Sequence, residues 1–275
     1  MRGHRDAALL PARVARGVIE SGDEKRLPTT IGGLVDLAAA AYLERAPLYL
    51  GLALAAFALQ AAVEFALPAW NVDTREGTIK ELTLQYLAVL LDSVIIAAVA
   101  LGVATRVAGK TAGPRAIIVA MADRWPAAFI ANLVQTIIFL YTAAFGAAGP
   151  LPDPPAILLL TAPLCWLLWG ALSLAPPIAA LSPERATSAA MHGIVRAVTL
   201  SFHRSNLARL VVVAFASVVP LMLETILSDP RFHVTRQFWL STPIDVLTVG
   251  PLAALQTVFA LDFARRAGVL SAPRQ

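Results

Sequence analysis

Long uninterrupted apolar stretches dominate the pattern of this chain. A helix that crosses a hydrocarbon core of about 30 Å needs roughly 20 apolar residues, each rising about 1.5 Å. Six stretches are long enough, at about residues 47–69, 82–104, 127–149, 156–181, 207–227 and 244–264. They lack the apolar and polar alternation of a membrane β-barrel. The pattern therefore predicts an all-α, polytopic membrane protein with six transmembrane helices.

The segments at the two ends are polar. Residues 1–28 are basic and contain no apolar region of the kind that defines a secretory signal peptide. We expect a cytoplasmic tail there, helical in part between Ala7 and Ile19. The six-helix transmembrane domain is then predicted over residues 29–266, with a second cytoplasmic tail over residues 267–275.

Lysine and arginine predict the orientation of the spans. Of the 22 lysines and arginines, 18 fall in the tails and loops on one side of the six spans and 4 on the other. Cytoplasmic loops carry the excess of positive charge in membrane proteins. Both termini are therefore predicted to lie in the cytoplasm.

The composition agrees with a membrane protein. Hydrophobic residues make up 58% of the chain and charged residues 15%, whereas soluble domains average about 45–50% and about 25%. Cys165 is the single cysteine, so an intramolecular disulfide is excluded. The chain has no metal-ligand spacing, phosphate-binding loop or serine-hydrolase motif, and no basic patch interleaved with aromatic residues. We expect no cofactor, no metal, no nucleic-acid partner and no enzymatic activity.

Three segments of similar pattern predict an internal repeat. Each has a short amphipathic stretch, a polar residue followed by arginine, a break and then a span. The arginines are Arg45, Arg124 and Arg204, spaced 79 and 80 residues apart. Pro126 marks the expected break of the second segment. The predicted units of about 80 residues, each an interfacial helix with a membrane hairpin, cover residues 30–104, 112–182 and 184–264.

The third amphipathic stretch has the clearest helical spacing. One face carries Met191, Ile194, Val195, Val198 and Phe202, and the other carries His192, Arg196, Thr199 and His203. Ser182 and Pro183 are predicted to cap and begin this helix. It could lie in the headgroup layer or pack as a connector on the bundle. The candidate contacts with anionic lipid headgroups are Arg45, Arg124, Arg196 and Arg204.

Two segments carry a resemblance to a known family. They are TIGGLVDLAAAAYLERAPLYLGLALA and LAPPIAALSPERATSAAMHGIVRAVTLSFHRSNLARLVVVAF. They resemble the bacterial glycerophosphoryl diester phosphodiesterase membrane-domain family and related multi-pass membrane proteins. The resemblance implies a location in the bacterial plasma (inner) membrane. Because the sequence ends soon after the sixth predicted span, we expect the architecture of that membrane domain and not the hydrolase activity.

Ionisable residues inside the spans are the candidates for chemistry, because charge is costly in lipid. Asp92 lies near the middle of the second span, and Ser93, Gln135, Thr136, Thr248 and Gln256 are candidate hydrogen-bond partners. The candidate intramembrane polar site is Asp92 with Gln135 and Gln256. It is either an interhelical hydrogen bond or a proton- or ion-coupling site. Four further carboxylates are expected at the membrane interfaces: Glu64, Glu224, Asp245 and Asp262.

Three functions fit these patterns. The first is a non-catalytic inner-membrane protein that interacts with lipid or organises a membrane-protein partner. The alternative is a small secondary transporter or permease subunit with Asp92 as its coupling residue. The third is an enzyme acting on lipid, which the missing catalytic motifs disfavour.

Overall fold

The computed structural model describes residues 27–66, 75–110, 112–147, 156–227 and 238–267. Every regular element in these residues is an α-helix. The helices are α1 (Ile31–Leu43), α2 (Ala46–Ala66), α3 (Arg75–Val107), α4 (Pro114–Ala147), α5 (Ala156–Leu172), α6 (Ala175–Leu181), α7 (Ala186–Ser201), α8 (Leu207–Leu227) and α9 (Phe238–Arg266). The predicted tail helix between Ala7 and Ile19 lies outside the described residues.

Five stretches of the described helices are long and apolar enough to cross a membrane. They are Ala46–Ala66, Leu82–Val107, Pro114–Ile138, Pro163–Leu181 and Val246–Arg266. The predicted fifth span corresponds to α8, a helix of 21 residues in which Leu207–Val219 is apolar. The described part of the chain is therefore all-helical, with several helices suited to a multi-pass membrane protein.

Helix α3 is the centre of the bundle. Its residues from Ile95 to Leu101 are all buried, and α2, α4, α6 and α9 pack around it. The side chains in this stretch are mostly alanine and valine, which let neighbouring helices approach closely. Gly102 lies under the ring of Tyr49, and a side chain at Gly102 would collide with the Tyr49 hydroxyl. Ala98 and Gly102, two small residues one turn apart on α3, are both buried in this stretch.

A second small-residue stripe has the opposite placement. Ala58, Ala62 and Ala66 recur at four-residue spacing on α2, which favours close packing in a sequence. All three are exposed in this chain. These alanines therefore do not pack within the described part of the chain, where α2 buries Tyr49 and Ala53.

The predicted break occurs in two of the three similar segments. A turn at Glu44 and Arg45 separates α1 from α2, and residues 202–206 separate α7 from α8. Helix α4 instead continues through Pro126. Ala127 and Ala128 are buried directly after this proline, so tertiary packing holds the helix through a residue that usually ends one. The expectation of a break at Pro126 was wrong, and the repeat stays a prediction.

The fourth predicted span consists of two helices separated by a short turn near its C-terminal end. Helix α5 ends at Leu172, and α6 begins at Ala175 after a short turn. Ser182 closes α6 as its C-cap, and Arg185 is the N-cap of α7. Ser182 and Pro183 were therefore wrongly predicted to begin the third amphipathic helix.

Candidate functional site

Asp92 borders a narrow cleft between α2, α3 and α9. Gln60 of α2 and Val246 and Val249 of α9 line the cleft with it. The space open to the centre of a water molecule is about 20 Å³. One ordered water needs at least about 10–15 Å³ measured in this way. The cleft therefore has room for about one water and not for a larger substrate.

The polar residues predicted around Asp92 belong to separate contacts. Gln256 Nε2 lies 3.4 Å from Ser217 Oγ, and Ser217 Oγ donates to Ser173 Oγ at 3.1 Å. This group joins α9, α8 and the turn after α5. Gln256 is seven residues beyond Val249, or about 10 Å of helix. Asp92 and Gln256 thus face different layers of the bundle.

The bond between α3 and α4 comes from a residue that was not predicted. Asn132 Nδ2 donates to Ser93 Oγ at 3.2 Å and to the Val89 carbonyl at 3.3 Å. Thr136 and Thr248 donate to carbonyls one turn back in their own helices. Gln135 is half-buried one turn from Asn132. Asn132, and not Gln135, therefore makes the described polar bridge between α3 and α4.

A buried charge cluster lies where α8 begins and α9 ends. The Asp262 carboxylate is fully buried. Arg209 Nε lies 3.0 Å and Arg266 Nε 2.9 Å from Asp262 Oδ2, and Arg265 pairs with Oδ1. We call these four residues the Asp262 cluster. A fully buried carboxylate requires paired charges and hydrogen bonds, and this cluster provides both.

The same arginines hold the chain that leads into α1. Arg209 donates to the Thr29 carbonyl at 2.5 Å and Arg266 to the same carbonyl at 3.1 Å. Arg265 donates to the carbonyls of Leu27 and Pro28 at 2.6 and 3.0 Å. Thr30 then caps α1 by accepting from Gly33 N–H at 3.1 Å. The cluster thus fixes the start of α1 against α8 and α9.

Asp262 was expected at a membrane interface, which stays a prediction, but its carboxylate is fully buried within the protein. The local signal was available, because Arg265 and Arg266 follow it at the i+3 and i+4 positions of one helix. Arg209 lies 53 residues earlier, and only the fold brings it to Asp262. The side chains of the other carboxylates, Glu224 and Asp245, lie outside the described residues. Glu64 pairs with Lys80 at 3.3 Å.

Two of the four predicted lipid-binding arginines are engaged inside the protein. Arg45 buries its Nη1 atom beside Tyr49 and Gly102. The ring of Tyr49 in turn stacks on the ring of Tyr42, with 5.6 Å between the two centroids. Burial raises the pKa of the Tyr42 hydroxyl above its ordinary value. Arg124 donates to the carbonyls of Ser182 and Glu184 at 2.7 and 3.1 Å.

The other two arginines accompany an exposed apolar face on α7. Arg196 is half-buried, and Arg204 is exposed in the turn after α7. Met191, Val195 and Phe202 are 59%, 55% and 41% exposed. The candidate functional surface, called the α7 face below, consists of these five residues.

No family model matches the chain, and no curated protein or solved structure matches it either. Within the described parts of the chain, no three His, Cys, Asp or Glu residues are grouped as a metal site requires. The candidate site is therefore defined by its geometry, with the Asp262 cluster and the α7 face as its two main features.

Proposed function

We propose that this chain is a non-catalytic integral membrane protein whose α7 face binds anionic lipid at the cytoplasmic side of the bilayer. The observation that supports this most directly is the pairing of an exposed apolar ridge with the half-buried Arg196 on α7 and the exposed Arg204 in the turn after it. A helix of this kind is suited to lying at the boundary of headgroups and acyl chains.

One side of α7 packs against the bundle and the other side is exposed. Its small residues Ala189, Gly193 and Ala197 are buried, and a side chain at Gly193 would meet the Ala175 carbonyl at 2.8 Å. The larger apolar side chains point away from the bundle. Leaving them in water would cost about 1.5–3 kcal/mol for each fully exposed side chain. Contact with lipid removes that cost, so both uses predicted for this helix are compatible.

A lipid-facing stripe on the next helix supports the same placement. Leu207, Val211, Phe215 and Val219 are exposed on α8 at four-residue spacing. They form one face of the helix. We infer that this face contacts acyl chains, that α8 serves as a sixth span, and that both termini lie in the cytoplasm of a bacterial cell. The role of the lipid contact would be to organise the bilayer or a membrane-protein partner.

Lipid retention by purified protein tests the proposal. The variant R196A/R204A removes two arginines at the α7 face, and R115A/K110A removes two exposed cations elsewhere on the predicted cytoplasmic side. An arginine near an anionic surface contributes about 1 kcal/mol, so the first variant should lose about 2 kcal/mol of affinity for phosphatidylglycerol. Native mass spectrometry in mixed micelles measures the retained lipid.

The matched control decides how the result is interpreted. The control variant should retain phosphatidylglycerol as the wild type does, and retention of phosphatidylcholine should change little in either variant. Equal losses in both variants would show general attraction of charge and would contradict a site at the α7 face. Unchanged retention in R196A/R204A would contradict it as well.

A secondary transporter with Asp92 as coupling residue is the second candidate. Its support is the position of Asp92 in the interior of the spans, at a cleft that also contains Gln60 and has room for about one water. A water beside a carboxylate is the minimum needed to pass a proton. Proton flux, and not lipid retention, distinguishes this candidate.

A further inference from the structure

An apolar groove lies between α1, α8 and α9. Its volume is about 530 Å³, within the range of about 300–1,000 Å³ that is usual for small-molecule pockets. Apart from Tyr42 and the hydroxyl of Thr248, its side chains are aliphatic. The α1 groove, as we name it, is bounded by Val35 and Tyr42 of α1, Ala216 and Val219 of α8, and Leu247 and Leu255 of α9.

The three helices that form the α1 groove all lead to the Asp262 cluster. Val35 lies six residues after Thr29, whose carbonyl the cluster holds. Ala216 lies seven residues after Arg209, and Leu255 lies ten residues before Arg265. At about 1.5 Å per residue, these separations correspond to about 10–15 Å of helix. The cluster is therefore located beyond the inner end of the groove on every side.

The charge of the cluster favours an anion. Three guanidinium groups surround one carboxylate, so two positive charges are left in excess. A guanidinium has five donors in a planar fork that matches two oxygens of a phosphate. The bonds to Asp262 and to the carbonyls before α1 use only part of this capacity. Arg266 is the most accessible of the three, with 25% of its side chain exposed.

We infer that an anionic phospholipid binds here, with an acyl chain in the α1 groove and its phosphate at the Asp262 cluster. The inference rests on the proposed lipid-binding function and adds a lipid class and a second place of contact. The acyl chain would pack against the aliphatic side chains of the groove, and the phosphate of the headgroup would pair with the excess positive charge. The separation of about 10–15 Å between them is within the depth of one leaflet, which is half of a hydrocarbon core of about 30 Å.

Photo-crosslinking of the full chain tests this arrangement. The probe is phosphatidylglycerol with a diazirine in its acyl chain, added to the purified protein in mixed micelles. We expect labelled peptides to come from α1, α8 and α9 in preference to the exposed face of α2. Unlabelled phosphatidylglycerol should compete, and phosphatidylcholine with the same chains should compete about tenfold less well.

Filling the α1 groove provides the matched variants. A39F and A216F place a ring among the groove residues, whereas A58F places the same ring on the exposed side of α2. The first two should lower groove labelling by about tenfold, because the ring displaces several acyl methylenes. A58F should label as the wild type does. Monodispersity of each variant checks that it folds.

Four results would overturn the inference. The first is equal labelling of A39F, A216F and the wild type. The second is labelling of α2 that is as strong as the labelling of α1, α8 and α9. The third is equal competition by phosphatidylcholine, which needs only the wild type and so does not depend on a variant folding. The fourth is a wild type that forms dimers and shows no groove labelling, together with an A39F variant that does not form dimers. That result would assign the groove to a second copy of the chain. Each of these results leaves the R196A/R204A test of the α7 face unaffected, so failure here and failure of the proposed function are separate outcomes.

Discussion

Arg209 Nε lies 3.0 Å from Oδ2 of the fully buried Asp262 carboxylate. The first residue is in the opening turn of α8 and the second is near the end of α9. Because Arg209 also donates to the Thr29 carbonyl, one side chain joins α8, α9 and the segment before α1. A few ionic contacts therefore hold together the start of α8, the end of α9 and the segment before α1.

Neutralising Asp262 should destabilise the protein strongly. D262N would leave three arginines facing one another without a counter-charge. Removing one partner of a buried ion pair usually costs about 3–5 kcal/mol. We expect a clear fall in the thermal unfolding midpoint measured in detergent.

The control for this variant is D123N. Asp123 pairs with Arg124 at 3.1 Å, but its side chain is 72% exposed. Exposed ion pairs contribute about 0–1 kcal/mol, so D123N should unfold close to the wild-type temperature. Similar midpoints for D262N and D123N would show that the Asp262 cluster contributes little to stability.

Gly102 and Tyr49 should be coupled. In G102A the new methyl collides with the Tyr49 hydroxyl, and overpacking of this kind costs about 1–3 kcal/mol. Y49F/G102A removes the hydroxyl, so its loss should be smaller than the sum of the two single losses. Chemical or thermal unfolding of all three variants measures the coupling.

Gly51 provides the comparison for the Gly102 variants. It is a helical glycine with open space around its Cβ position, and alanine is favoured over glycine in a helix by about 1 kcal/mol. G51A should therefore unfold at the wild-type temperature or slightly above it. Strictly additive losses in Y49F/G102A would be evidence against contact between Gly102 and the hydroxyl.

Arg124 and Arg196 should have different effects although both were predicted to bind lipid. Arg124 donates to two carbonyls near the end of α6, and bonds from a charged donor contribute about 1.5–3 kcal/mol. R124A should lower the unfolding midpoint and leave lipid retention unchanged. R196A should have the reverse effect. Loss of phosphatidylglycerol in a well-folded R124A protein would contradict this assignment.

The sequence predicts local features of this protein better than distant contacts. Long apolar stretches are sufficient to predict helices, and the spacing of the third amphipathic stretch correctly predicts a helix there, α7. Spacing alone could not show that the smaller residues Ala189 and Gly193 would pack against the protein. It also could not show that α4 continues through Pro126, because that depends on neighbours that hold the helix.

The Asp262 cluster illustrates why part of the site was missed. A carboxylate near the end of a predicted span, followed by two arginines, is typical of an interface, and this was the expectation. Burial came from α8 and from the carbonyls of residues 27–29, which approach from distant parts of the sequence. The arginines of this cluster, which the sequence analysis counted only as loop charges, thus form ion pairs with a buried carboxylate.

Substitution of Asp92 separates the two candidate functions. In the proposed lipid-binding role, proteoliposomes carrying wild type and D92N should show the same low proton permeability, because the cleft at Asp92 has room for only about one water. A pH-sensitive dye inside the vesicles measures the flux under an imposed gradient. Gln60 lines the same cleft, so Q60L serves as the matched variant that removes a polar group without removing a carboxyl. Proton flux that is present in the wild type, retained in Q60L and lost in D92N would favour the transporter and contradict a purely structural role for Asp92.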